Sequence, residues 1–310
     1  MNAYPTTAAG AVDIGGTKIA VGLVAPDGRI LAQEQSPTCP ERGVQDGLRR
    51  ISAMLRACLG RCEGVALEGI GIGCTGPVDP HTGVLGPNNF LDGWAGHNLQ
   101  AHLSAEFGVP AATENDADAA ALAETMWGAG QGARRCIYIT VSTGIGGGLV
   151  FDGKLYRGVD GAHPELGHHV IDPAGPRCFC GMRGCWESLA SGPALAAWYN
   201  GAEGHLDARA VCQLAAHGDL LALWAVRREA YYLGLGLANL VSLFTPDVIV
   251  LGGGVMESWP LFEPTVRQTI RTSCGLVPSE KTRLVRAAIG IHAGLAGAGA
   301  VWFHRKAHGL

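Results

Sequence analysis

Short apolar runs closed by glycine alternate along the chain with longer stretches in which apolar residues recur every three or four positions. The first run, Ala11-Val-Asp-Ile14, reads as a buried strand that passes into a Gly15-Gly16-Thr17 turn. Ile19 to Val24 reads as a second strand, Asp27-Gly28 as a hairpin turn, and Ile30 to Gln33 as the returning third strand. The same order recurs further on. Ile137 to Val141 reads as a strand, Ser142-Thr143-Gly144 as a turn, Ile145 to Phe151 as a strand, Asp152-Gly153 as a hairpin and Lys154 to Tyr156 as the return. With Thr17 set against Thr143 (143 − 17 = 126), Thr17, Ile19, Gly22, Leu23 and Val24 match Thr143, Ile145, Gly148, Leu149 and Val150. The chain therefore carries one element twice, which predicts two related domains.

Helical spacing fills the intervals. Val44, Leu48, Ile51, Leu55 and Leu59 predict a helix over 43–58, and the Ala/Leu/Glu-rich stretch Ala117 to Met126 predicts another. Further helices are expected over Pro193 to Tyr199 and within Leu206 to Leu243. Thr245-Pro-Asp247 precedes a buried strand, Val248 to Leu251, which ends at Gly252-Gly253-Gly254 and leads into a helix. His292 to Phe303 is a small-residue helix suited to close packing. Strands alternating with helices make the chain α/β.

Composition narrows the class. The 310 residues are enough for two domains at about 150 each. Hydrophobic residues make up 47% and charged residues 16%, the latter against about 25% in an average soluble protein, which argues against disorder. The net charge of −4 gives no positive footprint for a nucleic-acid backbone. Met1 to Gly10 lacks the basic and apolar regions of a signal peptide. No apolar stretch reaches the 18 or so residues of a membrane span; Leu233 to Phe244 is too short. A cytoplasmic protein without nucleic-acid or membrane partners is expected. Of ten cysteines, Cys39, Cys58, Cys62, Cys74, Cys136, Cys212 and Cys274 are scattered and read as small buried hydrophobes. Cys178, Cys180 and Cys185 are crowded and need another explanation.

Three glycine turns are candidates for holding a nucleotide: Asp13-Ile-Gly15-Gly16-Thr17-Lys18, Ser142-Thr143-Gly144-Ile-Gly146-Gly147-Gly148, and Gly252-Gly253-Gly254. Glycine lets backbone N–H groups approach phosphate oxygens, and Asp13 at a strand end can hold water on Mg²⁺. None fits the dinucleotide fingerprint or the P-loop. Asn115-Asp116 opens a predicted helix, where Asp116 serves either as a helix cap or as a general base.

Together these residues resemble the ROK family of sugar kinases and related repressors, within the actin-like, hexokinase-like (ribonuclease-H-like) ATPase fold. The motifs carrying the resemblance are the first two glycine turns, Glu114-Asn115-Asp116, Glu165-Leu-Gly-His168, Cys178-Phe-Cys180 and Gly184-Cys185-Trp-Glu187. The resemblance implies two related domains closing on a cleft that holds ATP, with Mg²⁺, and a hexose. It implies a small N-terminal domain of residues 1–115 rejoined by 303–310, and a large domain of 116–302 carrying a zinc loop. Asp116 is then the base. Nucleotide contacts fall to Asp13, Gly15, Gly16, Thr17, Lys18, Thr143, Gly144, Gly146, Gly147, Gly253 and Gly254. The sugar falls to Gly76, Asn89, Asn115, Asp116, Glu165, His168 and Glu187, and the protein is expected to be a homodimer.

Within that resemblance, His168, Cys178, Cys180 and Cys185 form a Cys₃His set typical of structural zinc, in a loop too rich in Pro and Gly to form a core. His169 is a competing neighbour, but the motif assigns the ligand to His168. One ring nitrogen on zinc leaves the other for a sugar hydroxyl, and zinc also anchors Glu187. Asp118 stands where relatives often have Asn and is expected to raise the proton affinity of Asp116. Either Asn88 or Asn89 reaches a hydroxyl, and Trp94 is core or ligand wall.

Cys178-x-Cys180 favours the glucokinase pattern, whereas His163-Pro164 points toward fructokinases. Phe90 and Leu91 are expected to narrow the slot near C2 and favour a bare hydroxyl over an N-acetyl group. The first reading is a glucose 6-kinase, with N-acetylmannosamine, N-acetylglucosamine and fructose as alternatives and polyphosphate as a conceivable donor. The repressor branch carries a helix-turn-helix before the first turn; with only 12 residues ahead of Asp13, it is not expected.

Overall fold

The computed structural model describes residues 6–201 and 204–309. Residues 1–5 of the N-terminal stretch lie outside them. Its elements in chain order begin with β1 (Thr7–Ile14), β2 (Lys18–Val24), β3 (Ile30–Pro37), α1 (Val44–Arg61), β4 (Ala66–Cys74), α2 (Leu99–Phe107), β5 (Ala111–Asn115) and α3 (Asp116–Trp127). They continue with β6 (Arg135–Val141), β7 (Ile145–Phe151), β8 (Lys154–Leu155), α4 (Trp186–Ala190), α5 (Gly192–Asn200), α6 (Ala208–Ala216) and α7 (Leu220–Phe244). Last come β9 (Val248–Gly252), α8 (Trp259–Ser273), β10 (Arg283–Arg286) and α9 (Ala293–Ala307). Among the described residues no helix is long and apolar enough to cross a membrane.

The duplication read from the sequence is present in the topology. The first sheet has the order β3-β2-β1-β4-β5 and the second β8-β7-β6-β9-β10 when read from its hairpin edge. In the first, β1 pairs antiparallel with β2 and parallel with β4, which pairs parallel with β5. In the second, β9 pairs parallel with β6 and β10. The two hairpins turn differently. Asp152 and Gly153 both have positive φ (49° and 79°), the type I′ pattern, whereas at Asp27-Gly28 only Gly28 is positive (85°) and the register shifts beside it.

By packing, the chain divides into one unit of Met1–Gly132, Gly148–Pro164 and Ala288–Leu310, and a second of Ala133–Gly147 and Glu165–Ala287. This differs from the expected 1–115 plus 303–310 against 116–302, because α3, residues 148–164 and all of α9 group with the first unit. For the helices the cause is residue size. A Cβ on Gly297 would meet the Ala119 backbone at 2.8 Å, so the two helices approach closely only because small residues face each other.

The first unit's core lies on the α1 side of the sheet. Val44, Leu48, Ile51 and Leu55 of α1 are buried with Val12, Ile14, Ile70 and Ile72 of the strands. Leu91 and Trp94 are in the same core, so Trp94 is core rather than ligand wall. The other sheet face takes α9. β4 alternates glycine with apolar residues; Gly69 and Gly71 point at that helix and Gly73 at α3. A side chain on Gly69 would overlap the Trp302 ring, and one on Gly71 the Ala298 carbonyl. Strand β4 escapes sequence reading for this reason, since glycine lowers strand propensity while permitting close helix packing. In the second unit, α7 packs against α6, α8 and α4, burying Leu233, Leu237 and Val241.

Candidate active site and metal centre

In the first unit the sheet delivers its functional groups at strand ends. The turn after β1 is closed by Gly15 N–H donating to the Lys18 carbonyl at 2.9 Å. Thr38 holds it from outside, its hydroxyl donating to the Gly15 carbonyl at 2.6 Å and its N–H to the Thr17 carbonyl at 3.0 Å. Thr17 and Lys18 are exposed, and Gly15 and Gly16 half-buried. Asp13 lies against Gly294 in the first turn of α9, where any side chain would overlap its carboxylate. Burial, then repulsion from Asp116, push Asp13 up to about 7, opposed by Lys18.

Asn115 ends β5 and caps α3. Its Oδ1 accepts the Ala117 N–H at 2.9 Å and the Asp118 N–H at 3.4 Å, while its Nδ2 donates to the Gly76 carbonyl at 3.3 Å. Asp116, the first residue of α3, also accepts the Ala117 N–H through its Oδ1 at 2.8 Å, but Asn115 alone reaches the Asp118 N–H as the cap. Burial raises the proton affinity of Asp116 above the usual carboxylate range; the Ala117 N–H and His163 oppose this, and Asp118 adds to it as expected. Gly76, with φ of 91°, sits where a side chain would meet the Asn88 amide at 2.6 Å. Asn88 is occupied as a turn-former: its Oδ1 accepts the Phe90 and Leu91 N–H groups, both at 2.9 Å. Asn89 is exposed, which leaves it as the asparagine of this pair available to a ligand. Phe90 is 54% exposed and leans on Gly16, whereas Leu91 is core and cannot narrow a slot as expected.

In the second unit, Ser142 N–H donates to the Gly144 carbonyl at 2.9 Å and closes the second glycine turn. Thr143 is exposed, Gly144 and Gly146 half-buried, and Gly147 buried where a side chain would meet the Tyr138 carbonyl at 2.6 Å. Glu187, in the first turn of α4, accepts the Ile145 N–H at 2.9 Å, so one of its oxygens is spent on this turn. Gly253 has φ of 87° and lies on the Val141 backbone, while Gly254 is exposed with open space where a side chain would stand. Glu165 is exposed, and its carbonyl accepts the His168 N–H at 3.0 Å, opening the short turn that carries His168.

One nitrogen or sulfur atom each from His168, Cys178, Cys180 and Cys185 converge to within 4.8 Å of one another. His168 Nδ1 is 3.5 Å from Cys178 Sγ, and Cys180 Sγ is 3.6 Å from Cys185 Sγ. A tetrahedral zinc with Zn–S of about 2.3 Å places its ligands roughly 3.7 Å apart, so this donor set fits that ion. His168 presents Nδ1 to the cluster, which leaves Nε2 for another partner. His169 is turned away. Its Nδ1 meets the Leu166 carbonyl at 2.6 Å, its ring packs on Trp186 at 5.4 Å, and burial lowers its proton affinity. Of the seven scattered cysteines, all but Cys39 are buried as expected; Cys39 is half-buried with φ of 49°.

Sequence reading missed Arg157. It lies 39 residues from Asp118 and 43 from Glu114, yet its guanidinium bridges both buried carboxylates. Local spacing carries no signal for such a contact.

The sequence model of the ROK family matches residues 9–306. A glucokinase of Streptomyces coelicolor is 35% identical over 310 residues, covering 93% of this chain and 95% of its own. An N-acetylmannosamine kinase of Escherichia coli is 37% identical over 246 residues, covering 79% of this chain and 82% of its own. The crystal structure of a ROK family glucokinase from Streptomyces griseus, in complex with glucose and AMPPNP, is 34% identical; it superposes with a TM-score of 0.79 and covers 94% of this chain and 98% of its own.

Proposed function

The chain belongs to the ROK family, and on that footing we propose that it is an ATP-dependent hexose 6-kinase acting on glucose. The observation that carries the chemistry is the division of labour at the start of α3. Asn115 caps the helix, and although one Asp116 oxygen shares the Ala117 N–H with it, the other oxygen is left as a proton acceptor. Phosphoryl transfer asks mainly for positioning, charge neutralisation and a base for the attacking hydroxyl. As the O6–P bond forms and the bond to the ADP oxygen breaks, the hydroxyl proton passes to Asp116.

Gly15, Gly16, Thr17, Lys18, Thr143, Gly144, Gly146, Gly147, Gly253 and Gly254 are assigned to ATP, and Asp13 to the water shell of its Mg²⁺. Gly76, Asn89, Asn115, Glu165, His168 and Glu187 are assigned to the sugar. Glu187 keeps one oxygen for it, and His168 keeps Nε2 as a hydroxyl partner. His168, Cys178, Cys180 and Cys185 would hold a structural Zn²⁺, which when bound neutralises the thiolates and fixes the loop. The same resemblance supports a cytoplasmic homodimer.

Glucose is favoured by the S. coelicolor and S. griseus relatives. The E. coli relative favours N-acetylmannosamine as the second reading. A coupled ADP-release assay over glucose, mannose, fructose, N-acetylmannosamine and N-acetylglucosamine tests this. Glucose should give the highest kcat/KM, by at least about tenfold over the N-acetyl sugars. A higher kcat/KM for either N-acetylhexosamine replaces the sugar and keeps the kinase; no ADP release with any of the five sinks both.

A further inference from the structure

Two residues beyond Asp116, the side chain of Asp118 is fully buried. A carboxylate in that position is costly unless charge or donors surround it. Two side chains supply them. Arg157, just after β8, gives one guanidinium nitrogen to Asp118 and the other to Glu114 of β5. His163 brings its Nδ1 to 2.6 Å from the same Asp118 oxygen, close enough to donate. The other Asp118 oxygen has no partner among the described residues and lies where a side chain on Gly148 would meet it at 2.8 Å. Glu114 is buried as well, and its proton affinity is raised by burial against the pull of Arg157. No step of the proposed transfer uses Asp118, Arg157 or His163.

We propose that Asp118 and His163 are positioning residues for phosphoryl transfer, which set how strongly Asp116 takes up the hydroxyl proton. The inference rests on the reading of Asp116 as the base. The groups facing Asp116 are Asp13 from β1, the Cys74 thiol from β4, Asp118 from its own helix and His163 from the segment after β8. The Ala117 N–H and the positive end of α3 favour the ionised form, which on its own makes a weak base. Asp118 opposes them as a nearby negative charge, and His163 tempers Asp118 by donating to it. Arg157 holds Asp118 in one place, so the field at Asp116 is built into the fold and does not depend on a mobile side chain.

The test is the pH dependence of kcat for glucose in the wild type, Asp118→Asn and His163→Gln, with KM and Tm recorded alongside. The acid limb of kcat reports the base in the enzyme–substrate complex. Asp118→Asn removes a negative neighbour, so the limb should move to lower pH by about 0.5 to 1 unit, with a several-fold lower plateau. His163→Gln keeps a donor but removes the ring that lowers the proton affinity of Asp116, so the limb should move to higher pH by a similar amount. Asp13 is itself raised by Asp116, so the limb belongs to this carboxylate pair, and opposite movements in the two variants report the field that Asp118 and His163 set there. Limbs that stay put, or move together while Tm falls, would make the cluster purely structural and overturn the proposal. Should Asp118→Asn fail to fold, the direction of the His163→Gln limb decides alone. An inactive Asp116→Asn beside unmoved limbs defeats this inference and keeps the base; an active Asp116→Asn defeats the base itself.

Discussion

Asn115 and Asp116 are adjacent acceptors at one helix start, and the structure gives them different tasks. From sequence alone Asp116 is as good a cap as a base, because both uses ask for a short acceptor in the first turn. The geometry separates them in part: Asn115 takes the Asp118 N–H and shares the Ala117 N–H with Asp116 Oδ1, which leaves the second Asp116 oxygen free of the helix start. Asp116→Asn should therefore lower kcat by about a hundredfold or more while the KM for glucose changes little. Asn keeps the shape and can accept a hydrogen bond but cannot take the proton. Steady-state kinetics check this, and a wild-type kcat would return Asp116 to a structural role. The same contrast marks the limits of sequence reading at this scale. Glu114, Asn115 and Asp116 are legible because they are contiguous. Arg157 is not, because its partners come from distant segments. Asn88 and Asn89 look equivalent in sequence, and only the two N–H groups bound by Asn88 tell them apart.

Among the elements, the loop between His168 and Cys185 illustrates a segment whose order comes from side-chain chemistry. It contains Gly175, Gly181 and Gly184 and contributes few residues to a core. Its backbone is held by isolated contacts such as Cys178 N–H to the Met182 carbonyl at 2.8 Å. Burial, with the neighbouring thiols, pushes Cys185 up to about 12, so ionising all three thiols there requires a cation. Metal analysis of the purified protein should find about one Zn²⁺ per chain. Cys180→Ser should lose that metal, lower Tm and weaken glucose binding, because His168 and Glu187 flank the loop it anchors. Full activity and stability in a metal-free protein would dismiss the zinc. The thiol spacing was visible in the sequence, whereas the choice of Nδ1 on His168 was not, since it depends on how the turn from Glu165 aims the ring. Strand β4 shows the opposite case: its glycines lower strand propensity, and only α9 lying on Gly69 and Gly71, with α3 on Gly73, explains their presence.

For the whole molecule, the repeat that sets Thr17 against Thr143 predicted two sheets of one design, and the strand orders agree. Where the chain passes from one unit to the other was not legible, since α3 and α9 are drawn together by small residues far apart in sequence. Composition was equally silent on Glu229, a fully buried carboxyl on α7 with neither oxygen partnered among the described residues. Burial raises its proton affinity well above its ordinary value of 4.5. The folded chain therefore keeps this proton at pH values where the unfolded chain has released it. Unfolding then releases a proton, and stability falls as pH rises. The contribution is fully present below about 4.5 and is lost as pH climbs toward the folded-state value. Glu229→Gln keeps the volume and cannot ionise. Its Tm should sit close to the wild type near pH 5 and move above it with rising pH, by at most about 1.4 kcal/mol of stability per pH unit. Thermal melts of the two proteins from pH 5 to 8 measure the difference, in which any zinc-dependent acid lability is common to both and cancels. A difference that does not change with pH would mean that Glu229 ionises in the folded chain as it does in the unfolded one, and would overturn this prediction.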